Sequence, residues 1–156
     1  MPEDISDLAE AIAQRANQRS LRVAAAESLT SGQICGALGA ASGASEWFAG
    51  GVVAYRNKTK FDVLGVTPGP VMTATCAEQM ARGVVDLTAS DVAVSVTGVG
   101  GPGSEEGRAA GTVFIGIATT TVVRSFEYAF TGDPEEVVTS TVRAALDRLT
   151  EALDDA

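Results

Sequence analysis

Three short apolar runs in the first hundred residues are separated by stretches of helical periodicity. This alternation limits the fold more than any other feature. The runs are LRVAAA (21–26), GGVVAYRN (50–57) and DVAVSVTG (91–98). Strands separated by helices cannot form tight hairpins, so they pair in parallel and need cover on both faces. Between the first two runs, GQICGALGAA carries Ile34, Cys35 and Leu38 on or near one face, with Thr30 or Ser31 as its expected cap. ASGASEWF reads as a loop, and KTKFDVLGV as one or two helical turns. TPGP (67–70) breaks the chain, after which Thr73 caps a helix with Cys76, Met80 and Val84 at four-residue spacing. Two further strand-like runs, GTVFIGIATT and VVRSFEYAF, meet at a short turn over Thr119–Thr121, which forces an antiparallel pair. Amphipathic helices open and close the chain. The first places Ile5, Leu8, Ile12 and Ala16 together, and the last has Asp133 as N-cap and Pro134 in its first turn. The order α-β-α-β-α-α-β-β-β-α predicts one α/β domain over residues 1–156, with no linker and no internal repeat.

Charge and residue usage narrow the chemistry. The formal net charge is −9, from 20 acidic and 11 basic residues, which disfavours nucleic acid as a partner because phosphate contacts need Lys and Arg. There is no histidine, so a Ser-His-Asp triad is excluded. Two separated cysteines, Cys35 and Cys76, make neither a disulfide framework nor, without histidine, a zinc site. Neither a metal nor a cofactor is expected. No apolar run approaches the ~18 residues of a membrane span and no signal peptide is visible, so the expectation is a cytoplasmic protein that does not enter membranes.

Three stretches carry candidate chemistry. In AAAESLTSG, Ser28 stands between a strand and a helix, where a nucleophile or anion contact sits, but where serine is also a favoured helix cap. In AYRNKTK, Tyr55, Lys58 and Lys60 follow a strand. Lysine activates serine when burial lowers its pKa, whereas an isolated basic turn is merely solvated. In GVGGPGSEEG (98–107), glycines permit close approach to a ligand, or form an ordinary surface turn. This loop matches neither the phosphate loop nor the dinucleotide fingerprint, because it runs into a strand rather than a helix. Glu105 and Glu106 read as solvated.

Together these stretches resemble one family. AESLTSG is similar to the Ala-Glu-Ser-Cys-Thr-Gly-Gly motif of the CinA C-terminal domain, the nicotinamide mononucleotide deamidases. GASEWFAGGVVAYRNKTKFDVLGV and VSVTGVGGPGSEEGRAAGTV are similar to two further blocks of that family, in the same order, and the resemblance runs from about residue 5 to 152. It implies a three-layer α/β/α sandwich with a mixed, mostly parallel five-stranded sheet, in the stand-alone form of the domain. It also implies an amidohydrolase that converts nicotinamide mononucleotide to nicotinic acid mononucleotide and ammonia. Residue by residue, the implied roles are Ser28 as nucleophile, Lys60 as base and Tyr55 as proton relay or orienting group. Glu27, Thr30, Gly43, Ser45, Asn57, Thr97 and Gly98 match substrate-binding positions. The implied partners are a small pyridine nucleotide and a second copy in a homodimer, for which the sequence offers only EWFAGG as a contact. The chain departs from the family at Leu29 and Ser31, at Arg108 with the loop's second proline missing, and at Pro134, Val138 and Thr139. The family's last helix opens Gly-Asp-Arg with further arginines one turn on. Here Arg143 is the next arginine along that helix. The alternative implied by these departures is a non-catalytic or altered-specificity pyridine-nucleotide-binding relative.

Overall fold

A computed structural model describes residues 1–156. Its elements are α1 (Glu3–Arg19), β1 (Val23–Glu27), α2 (Gln33–Gly39), α3 (Ala44–Trp47), β2 (Phe48–Val53), α4 (Asn57–Leu64), α5 (Ala74–Thr88), β3 (Val92–Gly98), β4 (Thr112–Thr119), β5 (Val123–Ala129) and α6 (Pro134–Asp155). The five strands form one sheet in the order β2-β1-β3-β4-β5. β1 pairs in parallel with both β2 and β3, while β4 is antiparallel to β3 and to β5. Four strands therefore run one way and β4 alone opposes them.

Side-chain alternation assigns the two faces. Val23, Ala25, Val92, Val94, Val96, Ile115 and Ile117 join the core beneath α1, α2 and α6. Ala24, Ala26, Ala93 and Ala118 face the other way, into the core built with α4 and α5. Residues on this second face are small, and α5 lies close against them. A Cβ at Gly116 would stand 2.4 Å from the Ala77 carbonyl oxygen of α5, so only glycine permits that approach. Ser95 uses the same carbonyl, donating from Oγ at 2.5 Å. The result is the three-layer α/β/α sandwich expected, with the topology reversing between β1 and β3.

Three local expectations are corrected. The 44–47 stretch is a short helix rather than loop, and its Trp47 is core, donating from Nε1 to the Ser42 carbonyl. Trp47 is thus unavailable as a dimer contact. The second strand covers 48–53 rather than 50–57, because the carbonyls of Ala54 and Tyr55 turn out of the sheet to accept from Lys60. Finally, neither Thr30 nor Ser31 caps α2. The N-cap is Gly32, and the orphan N–H groups of Gly32, Ile34 and Cys35 donate instead to the fully buried carboxylate of Glu27 at 3.1, 3.0 and 2.8 Å. Thr30 adds a fourth donor from Oγ1 at 2.6 Å. Asp133 caps α6 and Thr73 caps α5 as expected, and Glu136 adds the reciprocal bond that makes the α6 cap a capping box.

Glu27→Ala removes the acceptor for four buried donors. It should lower the free energy of unfolding by about 3 kcal/mol in urea denaturation. Glu27→Gln should recover only part of this, since its amide nitrogen must then face a donor. A loss below about 1 kcal/mol for the alanine variant would mean that water replaces the carboxylate.

Candidate active site

β1, β2 and β3 all point their C-terminal ends to one edge of the sheet, where Ser28 and Tyr55 follow β1 and β2 and Gly98 ends β3. Ligands of open α/β sheets collect outside the strand ends where the topology reverses. A cavity of about 480 Å³ opens there, lined by Ser28 and Lys60 on one side and by Gly98, Gly100 and Glu106 on another. A second cavity of about 490 Å³ lies at the opposite end of the sheet around Thr119–Val122, and holds no Ser, Cys or Lys.

Ser28 is not a helix cap. It leaves β1 in a turn, with its carbonyl accepting from the Ser31 N–H, and its side chain is nearly buried. Lys60, on α4, is 1% exposed. Its Nζ lies 3.0 Å from Ser28 Oγ, 2.8 Å from the Ala54 carbonyl oxygen and 3.2 Å from that of Tyr55. A neutral amine has two hydrogens and one lone pair. Two carbonyls and one hydroxyl match that set, with the carbonyls taking the hydrogens and the lone pair facing Ser28 Oγ. Burial pushes the Lys60 pKa below the ordinary lysine value; nearby Cys76, Glu105 and Glu106 oppose the shift without reversing it. The Cys76 thiol is itself pushed up to about 11 by burial and stays protonated below that. Lys58, the other candidate, is exposed and paired with Asp62.

N–H groups for an oxyanion are fewer than the helix-start position suggests, because Glu27 engages those of Gly32, Ile34 and Cys35. The N–H groups of Leu29 and Thr30 have no partner within the chain.

The remaining expected residues divide. Tyr55, Asn57 and Gly98 line the cavity. Tyr55 is 65% exposed and meets Lys60 through its carbonyl oxygen, so its phenol takes no part in the Ser28–Lys60 hydrogen bonding. Glu27, Thr30 and Thr97 stand behind the wall. The first two hold α2, and Thr97 donates from Oγ1 to the Val71 carbonyl at 3.0 Å. Gly98 also has a packing reason, since a Cβ there would stand 2.6 Å from the Thr112 carbonyl oxygen. Gly43 and Ser45 lie outside the cavity at the start of α3, where a Cβ on Gly43 would face Asn17 of α1.

Glu106 is not simply solvated, as the sequence suggested. From the glycine-rich loop its carboxylate accepts from the N–H groups of Val71 (3.0 Å) and Met72 (2.9 Å), closing one wall of the cavity. Pro134 and Val138 of α6 line the same cavity where the family pattern has arginine. Arg143 does not substitute for it; its guanidinium pairs with Asp4 of α1. No group of three or more His, Cys, Asp or Glu side chains is placed to hold a metal. No helix is long and apolar enough to cross a membrane.

Comparisons with known proteins bear on the family and the fold. A competence-damage inducible protein of Caldicellulosiruptor saccharolyticus is 37% identical over 152 residues, covering 94% of this chain and 37% of that protein. The chain thus spans little more than a third of the length of such curated relatives. The crystal structure of a competence-damaged protein (CinA) superfamily protein from Escherichia coli superposes with a TM-score of 0.93 at 31% identity, covering 97% of this chain and 93% of that one. A CinA superfamily protein from Klebsiella pneumoniae gives 0.92 at 30% identity, covering 97% and 99%. The model of the CinA C-terminal domain matches residues 5–153. The chain belongs to the CinA C-terminal domain family.

Proposed function

We propose that this chain is a serine–lysine amidohydrolase that hydrolyses the carboxamide of an N-ribosylated nicotinamide of the nicotinamide mononucleotide type. The observation that carries this reading is the 3.0 Å approach of a buried lysine amine to a nearly buried serine hydroxyl at the end of β1. Such a lysine is desolvated enough to accept a proton, and such a serine needs a base. Ser28 Oγ attacks the carboxamide carbon while its proton passes to Lys60 Nζ. The N–H group of Leu29, which lines the cavity, stabilises the oxyanion. The C–N bond then breaks and ammonia leaves with the proton from Lys60, giving an acyl-serine. Water attacks that ester with Lys60 again as base, releasing the carboxylic acid and restoring Ser28. A second reading, a binding or altered-specificity relative, is favoured by one observation: Pro134 and Val138 stand in the cavity wall.

Ammonia release should be measured with nicotinamide mononucleotide and with its nucleoside. Ser28→Ala should lower release by ~10³-fold or more, and Lys60→Met by ~10²–10⁴-fold. No release from either compound above the Ser28→Ala background would end the hydrolase reading.

The pH dependence follows from the lowered Lys60 pKa. As a base, Lys60 must be neutral, so kcat/KM should rise with pH through an apparent pKa below the ordinary lysine value of 10.5. Stability should move the same way. Between the lowered folded pKa and 10.5, the unfolded chain binds more protons than the folded one, so the free energy of unfolding rises with pH. Urea unfolding of Lys60→Met across that window should show a flatter profile than the parent. Parallel profiles would show that Lys60 titrates normally.

A further inference from the structure

The cavity's charges point to a substrate class. Lys60 is the only cationic side chain in its wall, and its amine is committed to Ser28 and two carbonyls. Glu105 and Glu106 face it from the glycine-rich loop. The adjacent backbone donors of Val71 and Met72, a pair suited to an anion, are filled by the Glu106 carboxylate. The N-terminus of α6 borders the cavity but is closed as well. Pro134 has no N–H, the Asp133 side chain accepts from the Glu136 N–H at 2.8 Å, and the Glu136 carboxylate accepts from the Asp133 N–H at 3.0 Å. With Glu135, that end carries three carboxylates. Of the nearby guanidinium groups, Arg143 pairs with Asp4, Arg108 lies over the Phe114 ring at 5.3 Å, and Arg56, between the lining residues Tyr55 and Asn57, is exposed and does not itself line the cavity.

A phosphate dianion would meet the Glu105 and Glu106 carboxylates on this surface, with the N–H groups of Gly100 and Gly101 as its unfilled loop donors. A pyridinium ring would meet the same carboxylates as an opposite charge. We infer that the cavity selects a cationic carboxamide that carries no phosphate, taking the pyridinium nucleoside of nicotinamide in preference to its 5′-monophosphate. Attraction between the ring cation and Glu105 and Glu106 replaces the phosphate clamp that an arginine at position 134 would supply. The turnover form of this inference rests on the amidohydrolase reading; its binding form does not.

The test compares the nucleoside with its 5′-monophosphate in two assays. In the first, ammonia release gives kcat/KM for both compounds. The nucleoside should lead by about tenfold or more, and the ratio should narrow as salt screens the carboxylates. Pro134→Arg, at an exposed position, should shift the ratio toward the monophosphate by about tenfold, with its melting temperature recorded to show that it folds. In the second assay, calorimetry on Ser28→Ala gives affinities without chemistry, and the same order should appear. Tighter binding or faster turnover of the monophosphate by the parent protein overturns the inference, as does failure of both compounds to bind. Binding in the expected order without ammonia release supports the inference and refutes the hydrolase reading. Release from both compounds with the monophosphate ahead does the reverse.

Discussion

Glu27 joins the two halves of the site. Its carboxylate gathers Thr30 and three backbone N–H groups and so fixes the turn that carries Ser28. Its carbonyl accepts from the Ala54 N–H at 2.7 Å, which fixes the end of β2. The Ala54 carbonyl in turn accepts from Lys60, and Lys60 reaches Ser28, the next residue after Glu27. The chain thus closes a ring of hydrogen bonds from Glu27 through Ala54 and Lys60 to Ser28. A buried carboxylate and a buried amine are each costly alone. Here each is surrounded by partners of the opposite hydrogen-bonding type, and no buried side-chain nitrogen or oxygen in the protein lacks a partner.

The ring sits in a frame built from small residues. The alanines of β1 let α5 come down onto the sheet, and α5 begins just beyond Val71 and Met72, whose N–H groups hold Glu106. The second wall of the cavity is therefore set by α5 docking as well as by the loop. The wall contributed by α6 differs in kind. Pro134 and Val138 supply shape without charge, so the charged side chains lining the cavity are Lys60 and two glutamates.

Much of this was legible in the sequence. Period-two valines in 92–96 and the four-residue spacing along 76–84 gave the layers. The Asp133–Pro134 pair gave the start of α6. The missing histidine directed attention to lysine as a base, and the resemblance favoured Lys60 over Lys58. Other features depend on distant contacts that no local pattern encodes. Nothing in ESLTSG shows that its glutamate, rather than Thr30 or Ser31, satisfies α2, because the donors lie five to eight residues ahead. Glu106 looked solvated because its partners are 34 and 35 residues earlier in the chain. Trp47 read equally as a dimer contact within EWFAGG or as core, because α3 is a single turn whose burial is decided by its neighbours. The resemblance implied a relay or orienting role for Tyr55, but a match in position does not say which way its ring turns.

The ring around Glu27 also orders events in time. Its two long links, Ala54 to Glu27 and Lys60 to Ser28, each span about thirty residues and need β1 and β2 already paired in parallel. Non-local parallel pairing comes late, after loop-closure entropy has been overcome. A nascent or partly unfolded chain therefore has a solvated lysine and an ordinary serine. The Ser28–Lys60 contact arrives together with the native sheet.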